Sequence, residues 1–220
     1  MKRGENGSYI PALSFDFLTP LYDPVVALTT RERALKSVLA GQARLQPSQT
    51  ILDLGCGTAT LTLVLKQSCP QAEIFGLDGD EKILALARRK AEKAGVEINL
   101  DKGLSFEMPY ASGYFDSVVS SLFFHHLTPE NKQKTLAEVF RVLKPNGFLH
   151  VADWGKPANF LMKIASMPVQ WLDGATTEDS FQGRLPELVK EAGFTDITET
   201  ANFDTVFGTI RIHKAEKTIL

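Results

Sequence analysis

Apolar and polar residues follow two different periods along this chain from Ile51 onward. Short apolar runs rich in β-branched residues alternate with longer segments in which apolar residues recur every three to four positions. This alternation is typical of parallel strands joined by helices, and it predicts a doubly wound α/β fold. The predicted strands are Thr50–Leu54, Glu73–Leu77, Val96–Asp101, Asp116–Ser121 and Phe148–Asp153.

Two of the connecting helices carry end signals that can be read from the sequence. One is predicted from Glu81 to Ala94, with Asp80 as its N-cap and Gly95 as its stop. The other begins at Thr128, has a proline in its first turn, and is expected to end at the Pro-Asn-Gly of 145–147.

The C-terminal part changes to a period of about two. Thr195–Ala201 and Val206–His213 read as an antiparallel hairpin with its turn at 202–204, which would complete a mostly parallel seven-stranded sheet. Residues 1–45, with a helix from about Val25 to Ala43, are expected to form a helical cap on a domain spanning 46–220. An insertion at about 156–180 is rich in Phe, Met and Trp.

Composition narrows the class of partner. The 220 residues carry a formal net charge of −2 with acidic and basic residues intermixed, which favours a small-molecule partner and argues against nucleic acid. Cys56 and Cys69 have no zinc-type spacing and no disulfide framework, so no metal site is expected. No window reaches the ~20 apolar residues of a spanning helix, so we expect a cytoplasmic protein without stable membrane insertion.

The segment 51–65 reads as a strand, a tight glycine turn and a helix start. Such a turn borders the ligand crevice of an open α/β sheet. Gly55 and Gly57 allow close backbone approach, and Asp53 offers a carboxylate to a cationic ligand amine. A dinucleotide site is the competing interpretation, but Thr60 stands where its third glycine belongs. A glycine turn that binds no ligand is a further alternative.

Asp78 is the second mark of a binding site. It ends the second predicted strand, 21 residues after Gly57, where a carboxylate can accept both hydroxyls of a ribose. Asp78 and Asp80 can each also be explained as caps of the following helix.

Taken in order, these motifs resemble class I S-adenosylmethionine-dependent methyltransferases, and among them the ubiquinone/menaquinone-biosynthesis type. That resemblance implies a Rossmann-like methyltransferase fold and S-adenosylmethionine as cofactor, with S-adenosylhomocysteine as product. The segments that carry it are FLTPLYD at 17–23, ILDLGCGTA at 51–59, GLDGDEKILALAR at 76–88, EMPYASGYFDSVVSSLFFHHL at 107–127 and LAEVFRVLKPNGFLHVADW at 136–154.

Position by position, the resemblance implies a set of cofactor contacts. The methionine part would be surrounded by Asp53, Gly55, Cys56, Gly57 and Thr58, with Ser121 near its amine. Asp78 and Gly79 would hold the ribose, and Leu104 and Ser105 would lie near the adenine.

Two positions depart from the family pattern. Ala59 replaces the usual third glycine, and Leu104 replaces an acidic residue that commonly accepts the adenine amino group. A rival alignment brings Asp101 to that role instead.

Methyl transfer from a sulfonium needs alignment above all, and it needs a general base only if the acceptor loses a proton. The candidate bases are His125 and His126, with His126 slightly favoured because the family pattern has a histidine there. Either one can instead be a packing residue. Tyr22 and Asp23 are candidates to close over the cofactor.

The insertion at about 156–180 and the residue that follows it suggest an apolar or aromatic small-molecule acceptor, although an ordinary core helix explains the pattern equally well. The apolar residues are Phe160, Met162, Met167, Trp171 and Phe181. The alternatives to a methyltransferase are a nicotinamide oxidoreductase and a cofactor-binding protein without turnover.

Overall fold

The computed structural model describes residues 32–173 and 177–218, and for 168–173 the backbone alone. Tyr22 and Asp23, the first part of the predicted N-terminal helix and the side chain of Trp171 therefore lie outside the described residues. The helices are α1 (Glu32–Ala43), α2 (Thr60–Ser68), α3 (Glu81–Ala94), α4 (Pro129–Val142), α5 (Phe160–Asp173), α6 (Glu178–Gln182) and α7 (Leu185–Glu191). The strands are β1 (Thr50–Leu54), β2 (Glu73–Asp78), β3 (Asn99–Lys102), β4 (Phe115–Ser121), β5 (Leu143–Trp154), β6 (Thr195–Thr205) and β7 (Gly208–Glu216).

The strands form one seven-stranded sheet in the order β3-β2-β1-β4-β5-β7-β6. Strands β1 to β5 pair in parallel, whereas β7 runs antiparallel to both β5 and β6. The chain order reverses between β1 and β4, which opens a crevice beyond their carboxyl ends. The predicted α/β class, the parallel sheet and the antiparallel C-terminal hairpin are confirmed.

Helix α3 shows why the third strand is shorter than predicted. Its N-cap Asp80 accepts the Lys82 N–H at 2.8 Å, and Gly95 ends the helix with a φ of 64°. The next N–H, that of Val96, donates to the carbonyl of Ala91 and so still belongs to the helix end. The predicted strand Val96–Asp101 was therefore wrong at its start.

The two other boundary errors concern turns. Residues 202–204, predicted as the hairpin turn, continue β6 and pair with β7, and the turn lies at 206–207. There the Thr205 hydroxyl accepts the Phe207 N–H at 3.1 Å, which closes the turn. The helix α4 ends at Val142, and the Pro-Asn-Gly of 145–147 lies within β5 because Asn146 and Gly147 bond the backbone of Lys217.

Buried apolar residues cover both faces of the sheet. Helix α1 places Leu35 and Leu39 on one face, where they join Ile51 and Val119 in a single cluster. Helix α4 covers the other face with Leu136 and Val139. Among the described residues, no helix is long and apolar enough to cross a membrane.

A buried histidine lies within the sheet. His150 of β5 is 1% exposed, and its Nδ1 has no hydrogen-bond partner in the described part of the chain. Burial and the nearby charge of Lys214 lower the pKa of His150 to about 4. The folded protein therefore binds fewer protons at this site than the unfolded chain, whose histidine titrates near 6.5.

We expect His150 to make the fold acid-sensitive. Since its folded pKa is depressed, stability is lost as the pH falls from about 6.5 towards 4, by about 2 kcal/mol between pH 7 and pH 5. His150→Leu removes this contribution. Urea unfolding of both proteins at the two pH values measures it, and an identical loss in the variant would contradict the assignment.

Candidate active site

The candidate site lies where β1, β2, β4 and β5 end. The glycine turn after β1 is fixed to β2 because the N–H groups of Gly55 and Cys56 both donate to the carbonyl of Leu77, at 2.9 and 3.1 Å. The turn then leads into α2. Ala59, in the left-handed region with a φ of 60°, stands just before that helix.

Asp78 joins the glycine turn to the end of β2. One carboxylate oxygen accepts the Gly57 N–H at 2.9 Å, and the other accepts the Asp80 N–H at 3.0 Å. Burial raises the pKa of Asp78, while these backbone donors oppose the increase. Each carboxylate oxygen keeps a further lone pair for a ligand hydroxyl.

The two glycines of the turn serve different purposes. A Cβ on Gly55 would lie 2.2 Å from the ring of Phe123, so this glycine is required by packing within the protein. A Cβ on Gly57 would meet none of the described residues within 4 Å. The Cβ direction of Gly57 is therefore open to a ligand and that of Gly55 is filled by Phe123, while close approach of a ligand to the backbone of both glycines stays a prediction.

Asp53 lies beneath the turn and not in the crevice. It is 1% exposed and accepts the Thr62 hydroxyl at 2.7 Å. Burial raises the pKa of Asp53 to about 6, while Thr62 and the charge of Lys36 act in the opposite direction. The Asp53 carboxylate thus already bonds within the protein through one oxygen, and its contact with a ligand amine, directly or through water, stays a prediction.

The side chains of two other residues predicted in the site contact neighbouring parts of the protein. The buried Cys56 thiol faces Gly76 of β2, and Cys56 is a free cysteine. The Ser105 hydroxyl lies 2.8 Å from that of Thr135, which attaches the loop after β3 to α4. Contacts of these two residues with a cofactor stay a prediction, for which their backbone groups are the more accessible part.

Thr58 and Leu104 lie half-buried at the rim of the site. The Lys90 ammonium donates to the Thr60 hydroxyl at 2.6 Å and to that of Thr58 at 3.3 Å. The Glu107 N–H donates to the carbonyl of Leu104, which shapes a short turn after β3. The rival residue Asp101 accepts the Tyr110 hydroxyl at 3.0 Å through one of its two carboxylate oxygens.

Ser121 ends β4 with an unsatisfied hydroxyl. Its Oγ is buried, and no residue within the described ranges forms a hydrogen bond with it. Buried polar atoms are nearly always paired, so an orphaned hydroxyl at a strand end is the kind of group that a ligand satisfies.

The two histidines occupy a single 3₁₀ turn, Phe124–His126, just after β4. The Nδ1 of His125 lies 2.6 Å from one carboxylate oxygen of Asp153 at the end of β5, and the other oxygen accepts the His125 N–H at 3.1 Å. Burial by itself would raise the pKa of Asp153. Other effects outweigh it, first the charge of His125 and then its hydrogen bond, so the pKa of Asp153 lies below its usual value.

His126 has a different environment. Burial, followed by the neighbouring His125 ring at 3.9 Å between centroids, lowers the pKa of His126 to about 3. Such an imidazole stays neutral at pH 7 but holds an abstracted proton poorly.

Aromatic side chains line the same region. Trp154 lies 6.3 Å from the ring of His125, and Phe181 of α6 stacks on Trp154 at 6.0 Å and 22°. Among the apolar residues predicted to face an acceptor, Phe181 is buried here, whereas Phe160 and Met167 are exposed by 74% and 59%.

The sequence interpretation missed two charged residues of the site. Asp153 follows the rule already applied to Asp78, a carboxylate at the end of a parallel strand, so the signal was present. Lys36 had no such signal, because its closeness to Asp53 depends on how α1 packs over β1.

The amino-acid sequence of this chain is similar to those of known methyltransferases. A family model described as a methyltransferase domain matches residues 51–147. The demethylmenaquinone methyltransferase of Thermus thermophilus is 35% identical over 143 residues, which cover 65% of this chain and 62% of that protein. The demethylmenaquinone methyltransferase of Deinococcus radiodurans is 31% identical over 177 residues, which cover 79% and 68%.

The fold is also similar to that of a solved methyltransferase structure. The phosphoethanolamine N-methyltransferase 2 of Haemonchus contortus, solved with S-adenosylmethionine, superposes with a TM-score of 0.75 at 14% identity, over 95% of this chain and 59% of that one. Together with the relatives, the sheet order and the strand-end site, this places the chain in the S-adenosylmethionine-dependent methyltransferase family. A nicotinamide oxidoreductase is thereby set aside.

Gly57 provides the most direct test of where the ligand space lies. Gly57→Val puts a branched side chain into the open space above the turn, so we expect S-adenosylhomocysteine binding to weaken by more than about tenfold, a cost above 1.4 kcal/mol. Titration calorimetry measures the affinity, and circular dichroism checks the fold.

The matched control is Gly113→Val. Gly113 has a similar φ of 66° against 54° for Gly57, and it too has nothing within 4 Å of an added Cβ, but it lies in the turn before β4. The control shares the backbone strain but not the site. Equal affinities for the two variants would mean that Gly57 does not border the ligand.

Proposed function

We propose that this methyltransferase methylates a small, apolar aromatic molecule that loses a proton in the reaction, with His125 as the general base. The observation that carries the proposal is the 2.6 Å pair of His125 and Asp153 at the same sheet edge as the glycine turn. A nucleophile or base oriented by a buried carboxylate is a recurrent arrangement in enzymes that move protons.

The cofactor is proposed to lie across the ends of β1, β2 and β4. Asp78 accepts the ribose hydroxyls, the space over Gly57 takes the methionine part, and the free Ser121 Oγ meets the methionyl amine. The backbone of Leu104 and Ser105 reads the adenine edge. The bound cofactor supplies an electrophilic methyl group on a positively charged sulfur.

Proton removal follows from the tautomer that Asp153 selects. The carboxylate accepts the Nδ1–H of His125, which leaves the lone pair on Nε2 to take the acceptor's proton. The acceptor then forms its bond to the methyl group as the sulfur–methyl bond breaks. The products are the methylated acceptor, S-adenosylhomocysteine and a protonated imidazole held by Asp153.

The aromatic wall supports the choice of acceptor. Trp154 packs near His125 and Phe181 stacks on Trp154, which makes the surroundings of His125 apolar and suits an aromatic ring better than a charged metabolite. The names of the relatives point the same way, so we propose a quinol such as reduced demethylmenaquinone as the acceptor class. The reduced form is required because the methyl group is electrophilic.

The sequence-based preference for His126 is revised in this proposal. His126 has no carboxylate partner among its described contacts, and its lowered pKa makes it a weak base. Its ring instead contacts His125 and fills the space beside it. We retain a small-molecule partner and a cytoplasmic location as parts of the same proposal.

Paired alanine variants separate the two histidines. His125→Ala should lower turnover by roughly 10²–10⁴, the usual contribution of a general base, with little change in S-adenosylhomocysteine affinity. His126→Ala should lower it by less than about tenfold, since no proton passes through that ring.

The assay uses reduced demethylmenaquinone and a cofactor labelled on its methyl group, with a phenol as the comparison acceptor. A larger loss in His126→Ala than in His125→Ala would return the base to His126. Methylation of neither acceptor by the wild type would overturn the proposed acceptor class.

A further inference from the structure

The loop of residues 103–110 leads from β3 towards β4 and contains the segment that is proposed to lie against the adenine. The side chain of Leu104 is apolar and cannot accept the adenine amino proton, so recognition of the base depends on backbone groups of Leu104 and Ser105. A hydrogen bond weakens steeply when its donor and acceptor are misaligned. The position of this backbone therefore decides how well the loop distinguishes one base from another.

Side chains from one side of α4 reach this loop. They are Thr135, Glu138 and Arg141, and their spacing of three residues brings successive side chains next to each other on a helix surface. The Thr135 hydroxyl lies 2.8 Å from the hydroxyl of Ser105. The Glu138 carboxylate accepts the Met108 N–H at 2.8 Å. Helix α4 therefore contacts the loop at two separated places.

Glu138 and Arg141 act on the loop as a pair. The guanidinium donates to both carboxylate oxygens of Glu138, at 2.6 and 2.7 Å. It also donates to the backbone carbonyls of Tyr110 at 2.7 Å and Met108 at 3.2 Å. Because Glu138 accepts the Met108 N–H, both backbone polar groups of Met108 are bonded to this one ion pair. Met108 is also buried, so packing and hydrogen bonds hold the same residue.

The start of the loop is attached to the proposed ribose site and to the loop's own end. The Gly103 N–H donates to the backbone carbonyl of Asp78 at 3.1 Å, directly before Leu104. An added Cβ on Gly103 would lie only 3.0 Å from the ring of Pro109, so the two ends of the loop pack against each other. A displacement of the end of the loop is therefore passed on to Leu104.

We propose that Glu138 and Arg141 are positioning residues that hold the loop 103–110 where its backbone discriminates adenine from other bases. This inference rests on the proposed place of the adenine beside Leu104 and Ser105. The pair does not contact the base in this proposal and acts through the backbone to which it is bonded. Since the two side chains are 34% and 19% exposed, their ion pair should add little to global stability, and its loss should act first on the loop.

S-adenosylhomocysteine and its inosine analogue differ only at the base and provide the probe. Adenine presents an amino donor beside a ring-nitrogen acceptor, whereas hypoxanthine presents a carbonyl acceptor beside an N–H donor. A backbone aligned with the first pattern is mismatched at both groups of the second. Titration calorimetry gives the ratio of the dissociation constants of S-inosylhomocysteine and S-adenosylhomocysteine. We expect this ratio to be about ten or more for the wild type.

Variants of the pair should lower this ratio. Arg141→Met removes the bonds to two loop carbonyls, and we expect a fall of about fivefold or more. Arg141→Lys keeps the charge but not the planar fork of donors, so its ratio should lie between those of the wild type and Arg141→Met. Glu138→Ala should also lower the ratio, whereas Glu138→Gln can still accept the Met108 N–H and should lie closer to wild type.

Lys134→Met is the matched control. Lys134 belongs to the same helix and forms an ion pair with Glu130 at 2.7 Å, but its side chain is 56% exposed and bonds no loop carbonyl among the described contacts. Its ratio should equal that of the wild type. Circular dichroism checks the fold of each variant, and if Arg141→Met does not fold, Glu138→Ala decides.

Three results would overturn the positioning role. The first is an unchanged ratio in folded Arg141→Met or Glu138→Ala, which includes equal weakening of both ligands. The second is an equal fall of the ratio in Lys134→Met. The third is loss of the fold in both Arg141→Met and Glu138→Ala, because the pair would then support the whole domain and not the loop.

The wild type separates this inference from the proposals on which it rests. A wild-type ratio near one would mean that the loop does not read the base, and it would overturn the adenine placement together with the positioning role. A discriminating wild type with unchanged variants would overturn the positioning role alone. Neither measurement requires methyl transfer, so failure of the proposed acceptor leaves the test intact.

Discussion

The carboxylate of Asp78 is the contact on which the site depends, because it ties the glycine turn of one strand to the end of the next. Its two bonds, to the N–H groups of Gly57 and Asp80, hold the turn open above Gly57. Gly57 has no side chain, and in the described part of the chain no atom lies within 4 Å of where its Cβ would be. A rigid frame around an open space costs little reorganisation when a ligand enters.

A buried carboxylate at the end of a parallel strand occurs twice at this sheet edge, and its hydrogen-bond partners differ between the two places. Asp78 and Asp153 both end parallel strands and are both penalised by burial. Asp78 is met by backbone donors, which suits it to holding ligand hydroxyls. Asp153 is met by the ring and the N–H of His125, which suits it to the proposed task of orienting a general base.

Local patterns in the sequence predicted the fold well, because the residues that cap and turn the chain act on their immediate neighbours. Asp80 and Gly95 bound α3 as expected, and the period of two revealed the C-terminal hairpin. Side-chain directions depend on distant packing and could not be read in this way. Gly55 faces Phe123, 68 positions away, and Lys132 looks like a surface residue until α6 is packed against it.

The role of Asp78 can be tested most directly by measuring S-adenosylhomocysteine binding to the wild type, to Asp78→Ala and to Asp80→Ala by titration calorimetry. The two aspartates lie two residues apart, but Asp80 only caps α3, so its loss should cost little affinity. Loss of the Asp78 carboxylate removes charged hydrogen bonds worth roughly 1.5–3 kcal/mol and should weaken binding by about tenfold or more. Wild-type affinity in Asp78→Ala would contradict the account.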